Sequence, residues 1–183
     1  NELFRHQRAI RNFTDEDVPD GLVDQVLMAA IHAPSGSNSQ PWHFIVIRDQ
    51  EVKNAVSDVY EEARAESSGA TQQSASVHQP LSAAPVLIVA CVDTPASGRA
   101  GFQTGASIYP SVQNIMLAAR AIGLGTVLTT MHRRRKAQIH EILGIPDDIE
   151  SAAIIPVGWP DREYGPNRRP SLEKFVMRDR WNG

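Results

Sequence analysis

One cysteine, Cys91, is all that this 183-residue chain contains, so it can build neither an internal disulfide framework nor a thiolate zinc centre. That usage fits a reducing cytoplasm, the compartment expected here. A long apolar run is also missing. No apolar stretch reaches the length a bilayer requires, and Asn1 to Arg11 is polar and basic with no apolar signal core, so neither export nor membrane insertion is expected. An excess of one charge is absent as well. Eighteen Lys and Arg stand against 21 Asp and Glu, so no overall field draws the molecule to nucleic acid or to an anionic surface. The six histidines include no i, i+4 pair, and no adjacent carboxylate completes a helical metal site, which argues against a metal centre. Neither a G-x-S-x-G elbow nor a Walker loop occurs.

What is present is the composition of an ordinary folded protein, 42% apolar and 21% charged, too apolar for disorder and of a length that suits one domain over residues 1–183. Asp20 to Ala33 has apolar residues at helical spacing, with Asp20 placed to cap the first turn and Pro34 to end it. His43 to Arg48 reads as a strand and Glu51 to Glu66 as a helix. Residues 67–84 are Ser, Gln, Ala, Gly and Pro with few large apolar groups, and are read as a mobile flap. A buried strand from Pro85 to Val92 follows, then a central apolar helix from Gln103 to Ile122. After these come a strand at Thr126 to Thr130, a helix at Arg133 to Leu143 and a strand at Ala152 to Val157. The extension 161–183 offers Leu172, Phe175, Val176 and Trp181 but few other core-forming residues. It is expected to pack on a partner subunit.

Four segments carry chemistry. Arg8 and Arg11 stand three apart and would share one face of a helix, a spacing that suits an anion held by guanidinium forks. The block Ala33 to Trp42 is dense in hydrogen-bonding groups: Asn38 and Gln40 each offer a donor and an acceptor, matching a heterocyclic imide edge, and Gly36 permits close approach. The same residues also make ordinary turns. Gly123-Leu124-Gly125 lacks the third glycine of a dinucleotide fingerprint and lies between a helix and a strand, the reverse of the Rossmann order. It reads as a helix terminator, after which Thr129 and Thr130 could reach a ligand. Pro166 and Pro170 bracket Arg168 and Arg169 in a stiffened loop, which could equally be a basic linker. The run Arg133 to Lys136 reads as a solvated cationic face rather than a cofactor-phosphate site.

Together with Gly105-Ala106-Ser107, Gln113-Asn114 and Val157-Gly158-Trp159-Pro160, these segments resemble the flavin-dependent nitroreductase family, which also holds iodotyrosine deiodinases and flavin-cleaving dimethylbenzimidazole synthases. The resemblance implies an α+β fold, a mostly antiparallel sheet flanked by helices, in an intertwined homodimer with FMN at the interface. By that likeness Arg8, Arg11 and Arg168 would hold the phosphate, ribityl and pyrimidine end. Pro34, Ser35, Gly36 and Asn38 would approach the ring from the other subunit. Thr130 would bond near N5, with Leu128 and Thr129 beside it. The implied activity is an oxidoreductase that moves electrons from NADH or NADPH to a small acceptor such as a nitroaromatic or quinone in two steps. A flavin-fragmenting enzyme and a non-catalytic flavin-binding module are the alternatives. Two departures matter: the opening has Gln7, Ala9 and Ile10 where the family often places an arginine and a serine, and no lysine lies between Lys53 and Lys136, which disfavours deiodination.

Overall fold

The computed structural model describes residues 2–67, 78–97 and 102–181. The element order is α1 (Glu2–His6), α2 (Asp20–Ile31), β1 (Trp42–Ile47), α3 (Gln50–Ser67), β2 (Val86–Asp93) and α4 (Thr94–Ser97). There follow α5 (Phe102–Ala121), β3 (Gly125–Thr126), α6 (Lys136–Leu143) and β4 (Ile149–Gly158). The four strands pair throughout in antiparallel fashion, in the order β1-β2-β4-β3.

Alternation along β2 explains the layering. Val86, Ile88, Ala90 and Val92 point into one apolar cluster, which they share with Val23 and Val26 of α2 and with Ile108, Val112 and Ile115 of α5. Leu87, Val89 and Cys91 point to the other face, where Val56 of α3, Ile139 of α6, Ile10 and Phe13 meet them. Helices therefore cover both faces of the sheet, as its near-continuous apolar strands require. A bulge between Ala90 and Cys91 sets Cys91 opposite Ser151, leaving Ala152 as the extra residue on β4. α5 is the buried central helix expected, and Asn114 fastens it to α2 by donating to Ala29 O at 3.0 Å.

Several local expectations are corrected. α2 begins after Pro19 with no side-chain cap, and Asp20 instead pairs with Arg48 at 2.8 Å, beside the Arg48–Asp17 pair at 3.1 Å. Asp49 is the residue that does cap, accepting from Val52 N at 3.0 Å at the start of α3. The strand expected at Thr126 to Thr130 shortens to two residues and a single bridge between Thr129 and Ile154. The helix expected from Arg133 divides into a 3-10 turn, Met131–Arg135, followed by α6. Of the 67–84 segment, residues 68–77 lie outside those described. Its far end packs on the domain, with Leu81 and Ala84 buried and Gln79 bonded through its side chain to both backbone groups of Phe13.

Candidate functional site

Two glycines position the first arginines. Residues 9–14 run beside the short β3 and the end of β4: Ile10 N donates to Thr126 O at 2.9 Å and Thr14 N to Trp159 O at 2.9 Å, with a bridge between Phe13 and Pro160. Gly125 and Gly158 are partners in the β3–β4 register. A Cβ on Gly125 would lie 2.7 Å from Ile10 Cγ2, and one on Gly158 would lie 2.9 Å from Phe13 Cδ1. The missing side chains are the seats of Ile10 and Phe13. Gly125 is thus a close-approach residue and not a terminator, whereas Gly123, at φ +90°, fills the helix-ending role. With Ile10 and Phe13 held inward, Arg8 and Arg11 stay at the surface.

α1 stops at His6, so Arg8 and Arg11 do not share a helical face as their spacing suggested. They meet by another route. The C-terminal extension returns to α1, where Asn167 N donates to Arg5 O at 2.7 Å and Asn167 Nδ2 to Phe4 O at 3.0 Å and Gln7 O at 2.9 Å. Carbonyls left open at the end of a helix are thereby satisfied from a distant part of the chain. Arg8 Nη1 donates to Gly165 O at 3.2 Å, and its guanidinium lies 5.7 Å from the centre of the Tyr164 ring.

The result is a cavity of about 950 Å³ lined by Arg5, Arg8, Arg11, Asn167, Arg168 and Arg169, among others. A second, of about 620 Å³, shares four of those arginines and adds Gln113, Met116, Val127 and Leu128. Arg5 pairs with Glu2. Among the described residues neither Arg8, Arg11, Arg168 nor Arg169 has a carboxylate within ion-pairing distance, so the positive charge is left for an anion from outside. Arg5 escaped the sequence reading, and Asn167 and Arg169 entered it only as part of the loop between Pro166 and Pro170. The Asn167 clasp had no local signal, because its partners lie about 160 positions away.

The other expected residues divide. Leu128 joins four of the arginines in the wall of the second cavity. Thr129 is buried, and its hydroxyl donates to Ile154 O at 2.8 Å instead of facing that wall. Thr130 is exposed at the head of the 3-10 turn, its carbonyl accepting from Arg133 N. Pro34, Ser35, Gly36 and Asn38 form a tight turn with Ser37 at φ 53°, Asn38 at φ 53° and Gln40 at φ 48°. Ser35 Oγ accepts from Gln40 N at 3.0 Å. Within one chain this turn lines neither arginine cavity. Trp42, buried beside it, belongs to the core.

The nitroreductase family model matches residues 4–159. A protein of Archaeoglobus fulgidus, provisionally named NADH dehydrogenase/NAD(P)H nitroreductase, is 31% identical over 185 residues, which is 98% of this chain and 97% of its own. Iodotyrosine deiodinase 1 of Rattus norvegicus is 30% identical over 177 residues, covering 88% of this chain and 62% of that longer protein. The solved structure of an iodotyrosine deiodinase bound to FMN and 3-iodo-L-tyrosine matches with a TM-score of 0.82 at 23% identity over 98% of both chains. These likenesses bear out the α+β fold expected from the sequence.

Proposed function

Because the chain belongs to the nitroreductase family, we propose that it is an FMN-dependent oxidoreductase. It takes electrons from NADH or NADPH and passes them, in two half-reactions at one site, to a small acceptor such as a nitroaromatic or a quinone. The observation that carries this reading is the meeting in one cavity of five arginines, four of them without a carboxylate partner among the described residues, beside a second cavity that shares four of the five and is lined by Leu128. A phosphomonoester tail fits that donor set, since guanidinium forks hold phosphate by paired, charge-assisted bonds. Guanidinium groups gathered without carboxylate partners suit a dianion far better than they suit solvent.

When bound, FMN supplies a ring that accepts and returns a hydride. The protein's part is to hold and orient it. Arg8 and Arg168, with Arg5 and Arg169 beside them, would take the phosphate. Arg11 would lie at the pyrimidine end, where a fixed cation favours negative charge on the ring. Leu128 would form an apolar wall, and exposed Thr130 would offer its hydrogen bond near N5. Pro34, Ser35, Gly36 and Asn38 would reach the ring from a second copy of the chain, so the working form is a homodimer. No side chain in this arrangement is needed as an obligate acid or base.

Anaerobic titration of the purified yellow protein with NADH and then NADPH, read by visible absorbance, tests the proposal. Bleaching followed by recovery of colour on adding a nitroaromatic or quinone is the expected course. Colour that persists under both nicotinamides defeats the redox reading and leaves a flavin-binding module. Oxygen-dependent loss of flavin without nicotinamide turnover points instead to flavin fragmentation.

A further inference from the structure

Residues 10–14 form a sheet edge that the chain closes with a side chain. The Phe13–Pro160 bridge is of the wide antiparallel kind: its flanking residues make the bonds, Thr14 N to Trp159 O at 2.9 Å and Asp161 N to Asn12 O at 3.2 Å. The N–H and C=O of Phe13 itself therefore point away from the sheet, although Phe13 is buried, and buried backbone groups need partners. Gln79 supplies both. Its amide carries a donor and an acceptor side by side, as a peptide group does: Oε1 accepts from Phe13 N at 2.9 Å and Nε2 donates to Phe13 O at 3.3 Å. Gln79 N also donates to Asn12 Oδ1 at 3.1 Å, so both residues that follow Arg11 are held from this side. The clamp stands on α3. Gln50 Nε2 donates to Ser82 O at 3.3 Å, the Nζ of buried Lys53 donates to Ala84 O at 2.9 Å, and Leu81 packs in the apolar cluster that holds Ile10 and Phe13. Arg11, by contrast, has no hydrogen bond or ion pair among the described residues, while it lines both arginine cavities. Where its side chain begins is set by the backbone: Ile10 N on Thr126 O before it, and Gln79 on Phe13 after it.

We infer that Gln79 is a positioning residue for Arg11: it closes the free edge of residues 10–14 against α3 and so fixes the point from which the Arg11 guanidinium enters the flavin cradle. The inference rests on the FMN reading and deepens it, adding a residue that lines neither arginine cavity. Arg8 lies outside the clamp, because its own tether runs to Gly165 O in the C-terminal extension. An apolar side chain at position 79 would leave both Phe13 groups without partners, and the segment would shift to satisfy them. A displacement of about 1 Å is enough to misaim a positioned group.

The clamp is read first in the flavin-free chain, as hydrogen exchange of the Phe13 amide by NMR, for the parent, Gln79→Leu and Gln79→Asn, whose amide is one methylene too short to span both Phe13 groups. FMN is then titrated into each full chain, followed by quenching of flavin fluorescence. Arg11→Ala and Arg8→Ala are titrated alone and each combined with Gln79→Leu. Protection of the Phe13 amide in the parent should be lost in Gln79→Leu. The same variant should raise the Kd for FMN about five- to tenfold, and its bound flavin should become harder to reduce, as in Arg11→Ala. In the Arg11→Ala background the Gln79→Leu loss should shrink below about twofold, and in the Arg8→Ala background it should remain whole. A Phe13 amide that exchanges freely in the parent overturns the inference, as does an unchanged Kd in both Gln79 variants. An equal loss with and without Arg11 overturns it as well, because the effect is then one of general destabilisation. A parent chain that protects the Phe13 amide yet binds no FMN overturns the flavin reading, and the inference with it, while the clamp stands; that separates the two failures.

Discussion

Gly125 acts on the site without touching it. Its hydrogen lets Ile10 sit against the sheet, and Ile10 sets where Arg8 and Arg11 emerge. Gly125→Ala would force a β-branched side chain away from a backbone that has little room to yield, at a cost of about 1–3 kcal/mol. The expected outcome is a lower melting temperature together with a loss of FMN affinity of about tenfold, read by fluorescence titration. Gly144 offers the control, since a Cβ there meets nothing within 4 Å although its φ is +63°. Gly144→Asn should leave FMN affinity near the parent value. Cys91 illustrates the opposite case of a reactive residue type with no part in the site. Burial pushes its thiol up to about 11, so it stays an unionised packing group.

At the scale of elements, the extension beyond β4 combines an ordered clasp with an apolar surface. Phe175 is 63% exposed and Trp181 80%, beside exposed Leu172 and Val176. In the proposed homodimer these groups are covered by the second copy. Phe175→Ser with Trp181→Ser should therefore shift sedimentation toward the single chain and weaken FMN binding in parallel, while the helical circular dichroism of each chain is retained. Helices α2 and α5 and the two long central strands were legible in the sequence because their apolar patterns are long and uninterrupted, and α3 from its helix-favouring composition, whereas the short α1 and α4 offer no period to read. The 127–130 segment was not: its apolar and β-branched composition reads as a strand, but only Thr129 finds a bridge, since the chain turns into a 3-10 helix at Met131. The same limit applied to the site. Arg8, Arg11 and Arg168 could be named from residue type and family likeness. Arg169 could be named beside Arg168 in the same loop, but Arg5 could not, because the tail that reaches it is held by contacts that no local pattern encodes.

For the molecule as a whole, the histidine cluster behind β4 sets the acid limit. His132 is fully buried, with its Nε2 3.2 Å from Ser151 O and its Nδ1 without a partner among the described residues. His140 Nε2 lies 3.1 Å from Ser151 Oγ. Burial drives the His132 pKa down to about 4 and that of His140 below its usual value, helped for His140 by Lys136, which is itself paired with Glu150. The folded chain keeps His132 neutral, while the unfolded chain takes up a proton near pH 6.5. The stability contribution is thus complete above about pH 6.5, falls as the pH drops toward 4 and levels off below, an order of about 3 kcal/mol. Urea midpoints measured from pH 7 to pH 4 should show that decline, and His132→Leu should remove most of the slope. A flat profile in the parent would contradict the burial argument.

The Asn167 clasp bears on biosynthesis. A ribosome makes Arg8 long before Arg168, and their meeting requires closure of a loop about 160 residues long. Capture of an anion there waits until the loop from Pro166 to Pro170 has been made, so chains terminated before it would leave the cellular pool of that anion untouched.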